Sequence, residues 1–384
     1  MAEKPLSVLM ISANFYPHLG GAERQAMTLA ASLRNRGLNV FVVTRQKKDL
    51  KKTETLHGIV IKRLWCFGPG IFNTASFMIS LSAHLVFNAR SYDIVHVHLA
   101  SSPALVASFF GKIFRKPVFV KLGASGDFGE LKMSAQTVLG RVKILFLKML
   151  RPSFIALTLD QELEARKFLD GIPLHKIPNG VNLRKFRPSS TAKKILRLKW
   201  GLPEGLVFLY TGRFAPQKHL PFFMDAWADV AKKAKIPVSL ALFGEGFEES
   251  AIRKTAEQAG VLENVYFYPP QNDLAVVYPA ADVFVLPSLA EGLSNSLLEA
   301  MACGLAVLAS KVGGNTEAVT DGVDGFLFSP DNADEIQAQT LKFISHPELA
   351  DEMGRAAHKK VEDFYSIDKI AERYETIYRL SLTS

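Results

Sequence analysis

Apolar residues along this 384-residue chain come in short runs, divided by longer stretches of helical spacing. Leu6–Ser12 is such a run and predicts a parallel strand buried on both faces. A Gly20-Gly21 loop follows. Apolar residues at helical spacing then fill Ala22–Arg36, and Gly37 closes that helix. Asn39–Thr44, Ile94–His98 and Val118–Lys121 read as further strands. Between Asn182 and Pro203 the pattern breaks into a polar, basic stretch, and then the alternation restarts. Val207–Thr211, Ser239–Phe243, Val265–Tyr268, Val283–Leu286 and Ala306–Ser310 predict strands, with helices over 218–234, 247–259, 294–303 and 331–345. Strands alternating with helices predict parallel sheets covered on both faces. The expected fold class is α/β, with two tandem Rossmann-like doubly wound domains. Ligands in such sheets bind beyond the carboxyl ends of the strands, so two domains facing each other make one interdomain cleft.

Composition narrows the class. Apolar residues make up 48% and charged residues 22%, which excludes a disordered, collagen-like or disulfide-stapled chain. The two cysteines, Cys66 and Cys303, fit buried thiols in a reducing compartment. No run of 18 uncharged apolar residues stands out, so no spanning helix is expected. The first residues lack the n-region, h-region and cleavage site of a signal peptide, and a cytoplasmic location is expected. Charge changes the picture more. Residues 1–190 hold 27 Lys+Arg against 11 Asp+Glu, and residues 191–384 hold 19 against 26. A basic half joined to an acidic half points to an anionic partner for the first: nucleic acid, anionic lipid or a phosphorylated acceptor.

The densest chemistry lies in Glu291-Gly-Leu-Ser-Asn-Ser-Leu-Leu-Glu299. Glu291 falls on the loop after the strand ending at Leu286, and Glu299 in the second turn of the next helix. Gly292 lets backbone approach a ligand closely. The amides of Leu293, Ser294 and Asn295 open a helix N-terminus suited to phosphate. A carboxylate at Glu299 suits two ribose hydroxyls. Upstream, Gly212 and Arg213 follow a strand and Lys218 stands at the next helix start. Two cations there neutralise a diphosphate and the charge it develops on leaving. Gly244-Glu-Gly246 after the next strand is by itself an ordinary turn signal.

The order Gly212-Arg213…Lys218, Gly244-x-Gly246, Glu291-x7-Glu299, Gly313-Gly314-x-x-Glu317 and Asp321-Gly322-x-x-Gly325 resembles the retaining glycosyltransferases of family 4. Gly20-Gly21-Ala-Glu23-Arg24, His96-Val-His98 and Ile177-Pro-Asn179-Gly180 extend the likeness into the first half. The resemblance implies the two-domain GT-B fold. Its domains are 1–187, which binds the acceptor, 188–365, which binds the nucleotide-sugar, and a helix over 366–384 packing back on the first. It implies sugar transfer from a nucleotide-sugar to an acceptor with retention at the anomeric carbon, by front-face attack. It assigns Arg213 and Lys218 to the diphosphate, Glu299 to the ribose and Glu291 to the donor sugar near the reacting carbon. Gly212, Gly244, Gly246, Gly292, Leu293 and Ser294 line the donor. Gly20 and Gly21 approach its phosphate, and His98 bonds the donor sugar or its surroundings. Glu23 and Arg24 contact the acceptor, or form only a helix-start charge pair. His96 is taken to face away from His98 as a core histidine.

Four positions depart from the family pattern: His219, Ala306, Asn182 and Tyr268-Pro269-Pro270. The last lies near the nucleotide base, so a UDP-sugar is favoured on family frequency and a GDP-sugar stays open. No Asp-x-Asp triplet and no His/Cys cluster asks for a metal, and no Gly-x4-Gly-Lys-Ser/Thr loop suggests an ATPase. Residues 131–151 predict one helix rich in Leu, Ile, Phe and Met with Arg141, Lys148 and Arg151 along it. Phe109-Phe110-Gly-Lys112-Ile-Phe114-Arg115-Lys116 adds aromatics and charge. Such segments suit a peripheral contact with anionic headgroups. The expected setting is the inner face of the cell membrane, with a lipid-linked or other anionic acceptor in envelope polysaccharide or glycolipid synthesis. A soluble small-molecule acceptor is the nearest alternative. A non-catalytic protein binding through its basic half is another, although no nucleic-acid-binding motif is present.

Overall fold

The computed structural model describes residues 5–17, 20–123 and 129–383. The chain divides into two compact units, residues 1–180 with 367–384, and residues 181–366. The division falls at Gly180, a few residues before the expected 187/188 boundary.

The first unit is built on eight strands. They are β1 (Ser7–Ser12), β2 (Asn39–Arg45), β3 (Thr53–Leu56), β4 (Ile59–Leu64), β5 (Ile94–His98), β6 (Val118–Lys121), β7 (Ser153–Ala156) and β8 (Leu174–Lys176). Their order is β3-β4-β2-β1-β5-β6-β7-β8, parallel except for β3, which forms an antiparallel hairpin edge on β4. Its helices are α1 (Gly21–Asn35), α2 (Gly70–Phe87), α3 (Ser102–Phe114), α4 (Glu130–Ala135), α5 (Val138–Leu150) and α6 (Leu159–Phe168), with a C-terminal helix over Ile367–Thr383. The apolar run of β1 is continuous because both faces are covered. Leu9 and Ile11 join a core with Phe77, Leu81 and Leu85 of α2, Ala104 and Ala107 of α3, and Leu147 of α5. Val8 and Met10 join the opposite core with Leu29 and Leu33 of α1 and Ile370, Tyr374 and Tyr378 of the C-terminal helix.

The second unit starts with α7 (Ser190–Trp200). Its strands are β9 (Leu206–Thr211), β10 (Val238–Phe243), β11 (Val265–Tyr268), β12 (Val283–Leu286), β13 (Ala306–Ser310) and β14 (Gly325–Phe328). Between and after them lie α8 (Leu220–Lys233), α9 (Glu249–Gln258), α10 (Asn295–Ala302), α11 (Asn315–Ala318), α12 (Ala333–Ser345) and α13 (Glu348–Phe364). The all-parallel order is β11-β10-β9-β12-β13-β14, the doubly wound order that reverses between its first and fourth strands. The reversal point, between β9 and β12, is where such sheets open a crevice for a ligand.

Two helical expectations are corrected. Residues 131–151 form two helices, because Thr137 breaks the run and its Oγ1 accepts from Gly140 N at 3.1 Å to cap α5. The helix expected from Lys218 starts at Leu220. Pro216–Lys218 form a 3₁₀ turn, and His219 sits at φ 54°, the left-handed region that ordinarily favours glycine.

Candidate functional site

In the second unit, the loops after β9 and β12 meet at the sheet's reversal point. Lys218 Nζ pairs with Glu291 Oε1, and Ser288 Oγ donates to the same oxygen at 2.6 Å. Gln217 braces the pair from the side. Its Nε2 donates to Ala290 O at 2.7 Å, and its carbonyl accepts from Leu289 N at 2.8 Å. Glu291 is buried and Lys218 is about one-fifth exposed, so the ion pair sits at the mouth of the crevice. Arg213, two residues past the end of β9, is exposed. Ser294 caps α10 by accepting from Leu297 N at 3.3 Å, at the end of the loop that follows β12.

Glu299 is held from below. Tyr278 Oη donates to Glu299 Oε2 at 3.1 Å and lies 3.0 Å from Thr211 Oγ1. Burial, and then the Glu299 charge, push the Tyr278 phenol well above its ordinary range, so it stays a donor. Thr211 then donates to Tyr278, and a chain of three residues fixes the carboxylate.

Gly244 and Gly246, predicted to line the donor, and Gly314 of the next motif have a packing duty. A Cβ on Gly244 would lie 1.9 Å from Gly212 O, and one on Gly246 2.1 Å from Phe214 O. A Cβ on Gly314 would lie 2.0 Å from Gly292 O, where Gly314 N donates at 2.7 Å. The loops at the strand ends therefore pack backbone to backbone. The glycines are needed for that packing whether or not a ligand is present.

In the first unit, His98 closes β5 and is buried. The expectation that His96 faces away from it is wrong. Residues two apart on a strand share a face, and the two imidazoles stack at 4.4 Å. His96 is a core residue, bonded through Nδ1 to Tyr378 Oη at 2.6 Å. Burial, with the Lys121 charge adding to it, holds His98 down to about 3, so the ring is neutral. Its Nε2 is buried without a hydrogen-bond partner among the described residues. Leu99 beside it takes φ 76°, which is costly for leucine. Gly20 is the N-cap residue of α1, Gly21 its first residue, and Glu23 and Arg24 lie half-buried in its first turn. A carboxylate there complements the helix dipole.

Sequence reasoning missed Lys121 and quoted Asn179 in a motif without giving it a role. Lys121 is the register partner of His98 on β6 and is buried. Its Nζ donates to Asn179 Oδ1 at 2.8 Å. Burial brings it down to about 7. The signal was a lysine ending the apolar run Val118-Phe-Val-Lys121 at the carboxyl edge of a parallel strand. Among the described residues, no group of three or more His, Cys, Asp or Glu side chains is placed to hold a metal.

Residues 193–360 match the family model for glycosyl transferases group 1, and residues 19–121 match that for glycosyltransferase family 4. The two matches together span more than half of the chain. It belongs to the family 4 glycosyltransferases. Among curated relatives of this glycosyltransferase, the D-inositol 3-phosphate glycosyltransferase of Segniliparus rotundus is 38% identical over 47% of the chain, an alignment that covers only 41% of that relative. The Escherichia coli UDP-Gal:alpha-D-GlcNAc-diphosphoundecaprenol alpha-1,3-galactosyltransferase is 24% identical over 94% of both chains. Among solved structures, Anabaena HepE in complex with UDP-glucose aligns with a TM-score of 0.79 at 21% identity, covering 97% of this chain and 99% of its own. That likeness carries the GT-B fold.

Proposed function

We propose that this glycosyltransferase moves a sugar, with retention, from a UDP-sugar to a lipid-linked acceptor at the inner face of the cell membrane. The setting is envelope polysaccharide or glycolipid synthesis. The observation that carries the transfer reading is the Lys218–Glu291 pair at the reversal point of the second sheet, on the same strand-end loops that carry Arg213 and lead into the capped start of α10. Breaking the bond from the anomeric carbon to phosphate leaves positive charge on the sugar and negative charge on the diphosphate. Lys218, Arg213 and the helix amides stabilise the diphosphate. Glu299, held by Tyr278, takes the ribose hydroxyls. Glu291 meets the sugar. The acceptor hydroxyl attacks from the face the diphosphate leaves, and its proton passes to a phosphate oxygen. HepE, solved with UDP-glucose, supports the choice of UDP.

The lipid-linked acceptor is supported by α2. Residues 64–89 carry no Asp, Glu, Lys or Arg, and α2 within them is long and apolar enough to cross a membrane. The sequence expectation of no such helix is thus revised. Phe77, Leu81 and Leu85 of α2 enter the core. Its outward face reads Phe72, Ala75, Ile79, Ala83, Val86 and Phe87, all exposed. On α5, Val138, Leu139, Leu145, Phe146 and Met149 are exposed too. Large apolar side chains exposed in such numbers on two helices mark an interaction surface. Basic residues around it and an excess of 27 Lys+Arg over 14 Asp+Glu in the first unit select anionic lipid. The E. coli relative, named for a diphosphoundecaprenol-linked acceptor, supports the same class.

The test is nucleotide affinity and slow donor hydrolysis across UDP-, GDP- and ADP-sugars, with and without phosphatidylglycerol vesicles. One tightly bound, slowly hydrolysed donor is the expected result. If none binds while the protein coats the vesicles, the transferase reading falls and a surface-binding role replaces it.

A further inference from the structure

At the opposite end of the first sheet from His98 lies a cavity of about 430 Å³. Val118 and Ser153, the first residues of β6 and β7, line it. So do Ser108 and Lys112 of α3, Leu150 and Arg151 at the end of α5, and Ile377 and Leu380 of the C-terminal helix. Its volume is that of a small-ligand pocket. Lys112, Lys116, Arg151 and His175 contribute to the wall, and no Asp or Glu does. Burial pulls His175 below its usual range, so the permanent charges are the three others.

These cations are only partly used by the protein. Lys112 Nζ donates to Met149 O at 3.0 Å, and Arg151 Nη2 to Gly171 O at 2.7 Å. An ammonium has three donors and a guanidinium five. Cations near helix C-termini complement the dipole, which accounts for one such residue per helix end. It does not account for three of them around one cavity whose floor is apolar. The Lys112–Met149 bond also ties the rim to the exposed apolar stripes, Phe109 and Ile113 on α3 and Phe146 and Met149 on α5.

We propose that this cavity seats the phosphate of an anionic phospholipid whose acyl chains run along Phe109, Ile113 and Met149 into the bilayer. The proposal rests on the membrane reading above and deepens it: the first unit does not merely lie on charge, it grips one headgroup.

The experiment is flotation of the full chain with vesicles of phosphatidylcholine alone or mixed with phosphatidylglycerol. Lys116→Ala and Arg151→Ala are each expected to lower affinity for the mixed vesicles roughly 10- to 100-fold, the loss of a charge-assisted hydrogen bond. Lys148→Ala removes a charge from exposed α5 outside the cavity and is expected to cost only about 5-fold, the share of one surface lysine. Ser381→Trp fills the cavity at unchanged charge and is expected to match Lys116→Ala. Equal losses in Lys116→Ala and Lys148→Ala overturn the proposal, even should Ser381→Trp fail to fold. Inorganic phosphate that raises the melting temperature as much as the mixed vesicles do overturns the lipid assignment in favour of a free-phosphate site. Wild-type protein that ignores all vesicles yet transfers sugar to a soluble acceptor overturns the membrane reading itself. Tight vesicle binding with cavity variants no weaker than Lys148→Ala overturns the cavity alone.

Discussion

Lys218 and Glu291 neutralise each other at the crevice mouth, so each is set in position before any donor arrives. Removing Lys218 takes away a charge that acts on the leaving diphosphate. Lys218→Ala is expected to lower kcat about 10²- to 10³-fold, as loss of one preorganised donor does elsewhere, with single-turnover transfer as the readout. Glu299→Ala is expected to weaken nucleotide binding about 10- to 100-fold, the range of a hydrogen bond to a charged group. Tyr278→Phe, which keeps the packing and removes the hydroxyl beneath Glu299, is expected to give a smaller loss in the same titration. Unchanged affinity in both would remove Glu299 from the ribose. His98→Ala is expected to cut transfer more than donor binding. The charged residues of the second unit were legible because they stand at fixed intervals after strands. Lys121 was not, since one cation closing an apolar run reads as the polar end of a strand, and only the register with β5 puts it beside His98.

At the scale of elements, β1, β5, β6 and β9 to β13 were legible because a strand buried on both faces is an unbroken apolar run. The hairpin edge β3–β4 and the short β7 and β8 escaped, since Thr53–Leu56 is exposed on alternate residues and Leu174–Lys176 is only three residues long. α2 escaped for a different reason: serines, a threonine and an asparagine dilute its apolar outline, although none carries charge. The glycine loops carry a test of their own. Gly244→Ala must push Gly212 and its strand end aside. It is expected to lower the melting temperature and nucleotide affinity together. A drop in affinity at unchanged stability would instead mean that the glycine serves the ligand alone.

For the whole molecule, buried titratable groups set the pH range of stability. Burial holds His98 down to about 3 and His84 to about 4. Below the ordinary histidine range near pH 6.5 the unfolded chain binds protons that the folded one refuses, so stability falls as pH drops from about 6.5 towards 3. Lys121, down to about 7, works in the other window. Between about pH 7 and 10.5 the unfolded chain keeps a proton that the folded chain has released, so stability rises with pH there. Lys121→Met is expected to flatten that rise in melting temperatures followed across the window. A rise as steep as that of the wild type would show that Lys121 keeps its proton in the folded chain across this window.

The C-terminal helix has a consequence for how the protein is made. A ribosome that has finished Gly180 has translated every strand of the first sheet, but one face still lacks its Tyr374 and Tyr378. Those side chains follow only after residues 181–366 have been translated, roughly ten to forty seconds later at ordinary elongation rates. Throughout that delay a nascent surface beside His96 stays open to chaperones and proteases, and the half synthesised first is the half completed last.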